Sequence, residues 1–228
     1  MRQEMPKRIK MKGPLIPNNS QEVYDYFGLE AVSAKSITDA FPEDNSDIVL
    51  EVNSNGGLVT VGSEIYTALK SYPGHVTVEV TGMAASAASV AIMGADKVLI
   101  SPTAQIMIHK ALYSYVSGNS DDLDKASKAL KSSDQAIVNA YVAKTGLEES
   151  VILDMMKNET FMSASEAVEK GFADEVMTFD DVGAVASLGD GLLPQAVIDD
   201  FYANRSKRKS EIQNMLREIE KEELLKGL

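Results

Sequence analysis

A serine, a histidine and a pair of glycines, each near the end of an apolar run, are the residues of this 228-residue chain best suited to chemistry. The serine lies in Gly82-Met83-Ala84-Ala85-Ser86-Ala87-Ala88-Ser89, which runs from a strand pattern into a helix pattern. On such a turn Ser86 can present its hydroxyl beside free backbone N–H groups, which stabilise a developing oxyanion. A serine hydroxyl needs a base to act as a nucleophile, and the chain holds two histidines, His75 and His109. His75 stands in the Pro73-Gly74 turn, whereas His109 ends the apolar run Ile106-Met107-Ile108. The glycines close Asn53-Ser54-Asn55-Gly56-Gly57 after a buried strand. Paired glycines accept positive φ and can turn their N–H groups toward a bound group. Taken singly, each string has a plain structural explanation: a strand-to-helix turn, close packing by small side chains, a satisfied histidine.

Composition removes several other chemistries. The chain has no cysteine, so disulfides, thiolate metal sites and cysteine nucleophiles are excluded, and two histidines cannot build a multi-histidine metal centre. Twenty-two basic and 34 acidic residues give a net charge of −12 and a pI near 4.7, a balance that repels phosphate backbones and argues against nucleic-acid partners. The longest uncharged run, Val80 to Ala95, is short of the roughly 20 residues a membrane span needs. The basic residues Arg2, Lys7, Arg8, Lys10 and Lys12 are followed by no apolar stretch of signal-peptide length, so a cytoplasmic protein is expected.

The elements that must position these residues read as alternating strands and helices from Ile9 to about Met177. Ile48, Leu50 and Val52 alternate as a strand; Ile65, Ala68, Leu69 and Tyr72 recur at helical spacing; Val76, Val78 and Val80 alternate again. Gly82 to Met93 is expected to be a turn and helix, followed by short strands at Lys97–Ile100 and Gln105–His109. Such units imply a parallel sheet with crossover helices. A long helix follows, from about Asp121 to Lys144, with Leu123, Ala126, Leu130, Ile137 and Tyr141 along one face. Thr145 with Glu148, and Ser163 with Glu166, have the capping-box spacing. Residues 1–180 are expected to form one domain, 181–194 a linker and 195–228 a charged helical tail.

In combination the strings are far more specific. Gly56-Gly57, Gly82-x-Ala-Ala-Ser86, Met107-Ile108-His109 and Phe161-Met162-Ser163-Ala164-x-Glu166-Ala167 resemble, in order and near-spacing, the proteolytic subunit of the Clp protease family (ClpP) over roughly residues 45–177. Asn-Ser-x-Gly-Gly, the Gly62–Leu69 segment, Ser101-Pro102-Thr103-Ala104-Gln105 and Gly171-Phe172-Ala173-Asp174-Glu175 are most similar to phage-encoded ClpP-related head maturation proteases.

The resemblance implies an α/β fold, a ClpP/crotonase-like spiral of β-α units with a protruding handle helix. It implies Ser86 as nucleophile, His109 as general base, and Glu159, two residues before Phe161, as the third triad member. The cellular family usually has Asp at that place, and other hydrolases do use Glu to orient the base. Gly57 and Ala87 match the positions whose N–H groups form the oxyanion hole, while Asn55 stands where a proline is usual. No metal or organic cofactor is implied. A polypeptide substrate, such as a capsid or scaffold precursor, and a homo-oligomeric ring are expected. The handle would occupy Ala111 to Gly118 and the long helix. Met1–Lys12 has no clear match to the family's unfoldase-binding loops, so an ATP-driven unfoldase partner is not supported. Two other classes remain to be separated by experiment: a crotonase-type acyl-CoA enzyme and an inactive scaffold or shell component.

Overall fold

The structure, a computed structural model, describes residues 5–179. The expected linker and helical tail lie outside the described residues. Within them the chain is α/β, as the alternation of periods implies. Strands β1 (Lys7–Lys12), β2 (Ile48–Ser54), β3 (Val76–Ala85), β4 (Lys97–Ile100) and β7 (Glu175–Val176) lie side by side in that order, all parallel. The sheet buries Leu50, Val52, Val76, Val78, Val80, Val98 and Ile100. The alternation Arg8, Ile9, Lys10, Met11 puts the two apolar side chains of β1 inside and the cations outside. On the outer face Glu51 and Glu79 are register neighbours, a like-charge pair that Arg8 offsets by bonding to both.

The strand that matters most for the site is β3. Gly82 to Ala85 were expected to open a turn and helix; they instead continue the strand, and the helix α4 is short (Ala87–Ile92). The reason is long-range pairing. Ten residues give β3 room for two successive neighbours on one edge: β4 pairs with Thr77–Val80, then β5 (Gln105–Ile108) pairs with Met83–Ala85. A tight turn closed by Ala104 N–H to Ser101 C=O links the two in tandem. On the opposite edge the β2 register slips near Asn53, whose side-chain oxygen accepts the Met83 N–H at 3.1 Å. A Cβ on Gly82 would lie 2.6 Å from that oxygen, so a larger residue at the irregularity would push the Asn53 side chain aside.

The sheet is not wholly parallel. β6 (Thr160–Ser163) runs antiparallel to β5, with Ile108 opposite Thr160. Four residues without strong alternation are too few for periodicity to announce a strand.

Helix α1 (Gln21–Tyr26) and α2 (Ala34–Thr38) join β1 to β2. Between β2 and β3 lies α3 (Val59–Lys70), which buries Val61, Gly62, Ile65 and Leu69. Gly62 packs so closely on α4 that a Cβ would meet the Ala87 carbonyl oxygen at 2.4 Å.

Helix α5 (Ser120–Thr145) divides in two. Its first half is largely exposed, including Leu123 of the expected apolar face. Burial starts at Asp134 and takes in Ile137, Val138, Ala140 and Tyr141. Its C-terminus is closed by Gly146 in the left-handed region (φ 70°). Thr145 does not cap the next helix, α6 (Glu149–Lys157): its hydroxyl accepts the Leu147 N–H at 3.1 Å, completing the turn after Gly146. The Ser163–Glu166 capping box is present at the start of α7 (Ala164–Glu169). Among the described residues no helix is long and apolar enough to cross a membrane.

Candidate active site

Ser86 occupies the one-residue junction between β3 and α4, at φ 54° and ψ −128°. That region is sparsely populated by residues other than glycine, and a side chain held there is a sign of a strained, purposeful turn. The turn ends the strand and starts the helix within one residue, an arrangement like the nucleophile elbow of serine hydrolases. The Ser86 N–H donates to the Met107 carbonyl at 2.9 Å, which fastens the turn to β5.

The same strand pair brings His109 to the elbow. Ala85 is level with Met107, so Ser86 stands beside Ile108 and the chain places His109 one step further on. His109 Nε2 lies 2.7 Å from Ser86 Oγ. For Nε2 to accept the serine proton, the ring proton must sit on Nδ1. His75, by contrast, is an exposed loop residue whose Nδ1 lies 3.6 Å from Asp96.

The Gly56-Gly57 turn packs directly on the elbow. Gly56 has φ 90°, and a Cβ there would lie 2.6 Å from the Ala85 carbonyl oxygen and 2.7 Å from Ser86 Cβ. Ser54 sets the turn by donating to Gly13 C=O at 2.6 Å while accepting Gly56 N–H at 3.1 Å. The chain around Leu15 clasps it from the other side: Leu15 N–H donates to Gly56 C=O, and Leu58 N–H to Leu15 C=O. Among the described residues, the N–H groups of Gly57 and Ala87 have no protein acceptor. Unpaired backbone donors in the two turns that meet at Ser86 are the kind of group that can stabilise an oxyanion.

Glu159 lies in the turn between α6 and β6, with φ 48°, and is exposed. Continuing the β5–β6 register from Ile108 opposite Thr160 sets Glu159 opposite His109. No hydrogen bond or ion pair joins the two among the described residues. The sheet therefore brings Ser86, His109 and the paired N–H groups together, and brings Glu159 to the neighbouring register position.

Close to this constellation are three polar groups outside the expected catalytic set: Ser89, Asp134 and Tyr141. Ser89 and Asp134 are buried, as is Tyr141. Tyr141 had counted only as one apolar position of a helix face. The sign to look for was an acid and a tyrosine seven residues apart, hence on one face, among buried aliphatics.

With this geometry in view, comparison with known proteins gives a single answer. Residues 30–180 match the Clp protease family. The chain is 32% identical over 168 residues to the ATP-dependent Clp protease proteolytic subunit 1 of Chlamydia trachomatis serovar D, an alignment covering 68% of this chain and 88% of that protein. It is 36% identical over 137 residues to the ATP-dependent Clp protease proteolytic subunit of Cycas taitungensis, covering 59% of this chain and 70% of the relative. The chain belongs to the Clp protease family and is a serine-type peptidase of that family.

Proposed function

We propose that the chain is an endopeptidase in which Ser86 is the nucleophile, His109 the general base, Glu159 the orienting carboxylate, and the Gly57 and Ala87 N–H groups the oxyanion hole. The observation that carries this reading is the 2.7 Å contact between Ser86 Oγ and His109 Nε2 at a strained elbow. His109 takes the hydroxyl proton as Oγ attacks the peptide carbonyl carbon, and the carbonyl oxygen, now negative, accepts from the two N–H groups. Collapse of the tetrahedral adduct breaks the C–N bond, and His109 passes its proton to the leaving amine. Water, deprotonated by the same imidazole, then hydrolyses the acyl-enzyme and restores Ser86. Glu159, opposite His109 in the register, would hold the Nδ1–H tautomer and offset the imidazolium charge.

The substrate is a polypeptide, and the motif resemblance to phage enzymes supports a capsid or scaffold precursor as the natural one. A homo-oligomeric ring is the expected working form, with Ala111–Gly118 and α5 as the handle. Leu112, Tyr113, Tyr115 and Val116 are exposed there, which suits an assembly surface. Lys7–Lys12 forms β1 of the sheet, which supports reading this segment as part of the fold rather than as an unfoldase-binding loop.

An activity-based fluorophosphonate probe tests the chemistry. Ser86 should be labelled, labelling should vanish in Ser86→Ala, and it should slow sharply in His109→Ala. A chain that stays unlabelled while folded and assembled would instead be an inactive shell component or a crotonase-type enzyme.

A further inference from the structure

Helix α5 reaches both halves of the site from behind. Tyr141, 1% exposed, places its hydroxyl 2.8 Å from Ser89 Oγ, and Ser89 Oγ lies 2.6 Å from the Ser86 carbonyl oxygen. A carbonyl can only accept, so the single Ser89 hydroxyl proton goes to Ser86 and Tyr141 is the donor to Ser89. Burial pushes the Tyr141 phenol well above its ordinary value, so it remains a neutral donor wherever a histidine base operates. The Ser86 carbonyl also accepts the Ser89 and Val90 N–H groups, at 2.9 and 3.3 Å.

This carbonyl belongs to the Ser86–Ala87 peptide, whose plane also carries the Ala87 N–H, pointing the opposite way. Fixing the carbonyl therefore aims the N–H. The elbow needs such fixing, because its dihedrals lie where a backbone would otherwise relax. Two helical turns earlier on the same face, Asp134, 8% exposed, accepts the Ala111 N–H at 2.8 Å, two residues beyond His109.

We propose that Tyr141 and Ser89 are positioning residues that hold the Ser86–Ala87 peptide plane, and with it the Ala87 N–H, while Asp134 holds the chain just beyond the base. The inference depends on Ser86 and His109 being the catalytic pair.

Tyr141→Phe is the cleanest probe, because the ring keeps its packing against Phe172, 5.5 Å away, and only the hydroxyl is lost. Peptidase kinetics should show kcat lowered about tenfold, the scale of one hydrogen bond, with KM within about twofold. The fluorophosphonate labelling rate per folded chain should fall in parallel. Ser89→Ala breaks the same relay at its other end and carries the test if Tyr141→Phe does not fold. The double variant should lose no more than the more damaging single one, Ser89→Ala, since both interrupt one chain of bonds. Asp134→Asn, which retains an acceptor for Ala111 N–H, should keep more turnover than Asp134→Ala. A purely structural role would lower thermal stability and leave kcat and labelling per folded chain unchanged; that result, or losses that multiply in the double variant, overturns the proposal. A wild-type chain that does not label at Ser86 overturns the catalytic reading and this inference with it; normal wild-type labelling matched by Tyr141→Phe overturns the positioning role alone.

Discussion

Replacing Ser86 with glycine should give a more stable protein than replacing it with alanine, reversing the usual rank of the two residues. At φ 54° and ψ −128° the elbow residue occupies a region that residues with a Cβ rarely adopt. Holding it there costs about 1–3 kcal/mol. Serine and alanine both bear that cost; glycine does not. Both substitutions remove the hydroxyl and its 2.7 Å contact with His109, so that loss cancels in the comparison. What opposes the strain relief is the extra freedom glycine has in the unfolded chain, about 0.5–1 kcal/mol relative to alanine. The balance favours Ser86→Gly by about 1 kcal/mol, or roughly 2–4 °C in Tm for a domain of this size. Urea and thermal unfolding of the two variants at one matched protein concentration measure it, since assembly makes Tm concentration-dependent. Neither variant should react with the fluorophosphonate probe. If Ser86→Ala proves as stable as Ser86→Gly or more so, the elbow is not strained in solution.

Three further outcomes are expected. Glu159→Gln should lower peptidase turnover on the order of 10²-fold with Glu159→Asp partly active, whereas Asp154→Asn, at the nearest aspartate upstream and within α6, should be nearly silent; wild-type turnover in Glu159→Gln beside collapse in Asp154→Asn would move the triad assignment. Gly57→Ala should reduce kcat by about 10²–10³-fold, because its Cβ would meet Leu15 C=O at 2.3 Å and the turn must shift, taking one oxyanion donor with it; unchanged kcat in a folded variant would remove Gly57 from the hole. The Ser163 hydroxyl and N–H hold the Glu166 carboxyl below its ordinary value near 4.5, so its capping contribution is present above that pH and is lost as pH falls through the lowered folded value. Urea midpoints at pH 7 should therefore be lower for Glu166→Ala than for wild type, and the gap should close at strongly acidic pH; a gap independent of pH would contradict the cap.

Ser86 and His109 were legible as candidates in the sequence, from the small residues around the serine and the apolar run before the histidine, whereas the proposed parts of Gly57 and Ala87 came from the family resemblance of the motifs taken together. Legible too were β4, β5 and the Ser163–Glu166 cap, whose patterns are complete within a few residues. Local patterns do not extend to register. That β3 continues through Gly82 to Ala85 depends on β5 pairing with it twenty residues later, a contact no local window contains. Antiparallel β6, with too few residues to show a period, exists because β5 offers it an edge, and only by continuing that pairing one step past Ile108 and Thr160 does Glu159 fall opposite His109. The 2.7 Å contact between Ser86 Oγ and His109 Nε2 follows from β4 and β5 lying in tandem along one long strand. The roles open to Ser89, Asp134 and Tyr141 became visible only when α5 was packed behind the elbow. A hydrogen bond between buried groups 52 residues apart, as between Ser89 and Tyr141, is a property of packing. Residue types can permit it, but only the folded chain brings the two hydroxyls within reach.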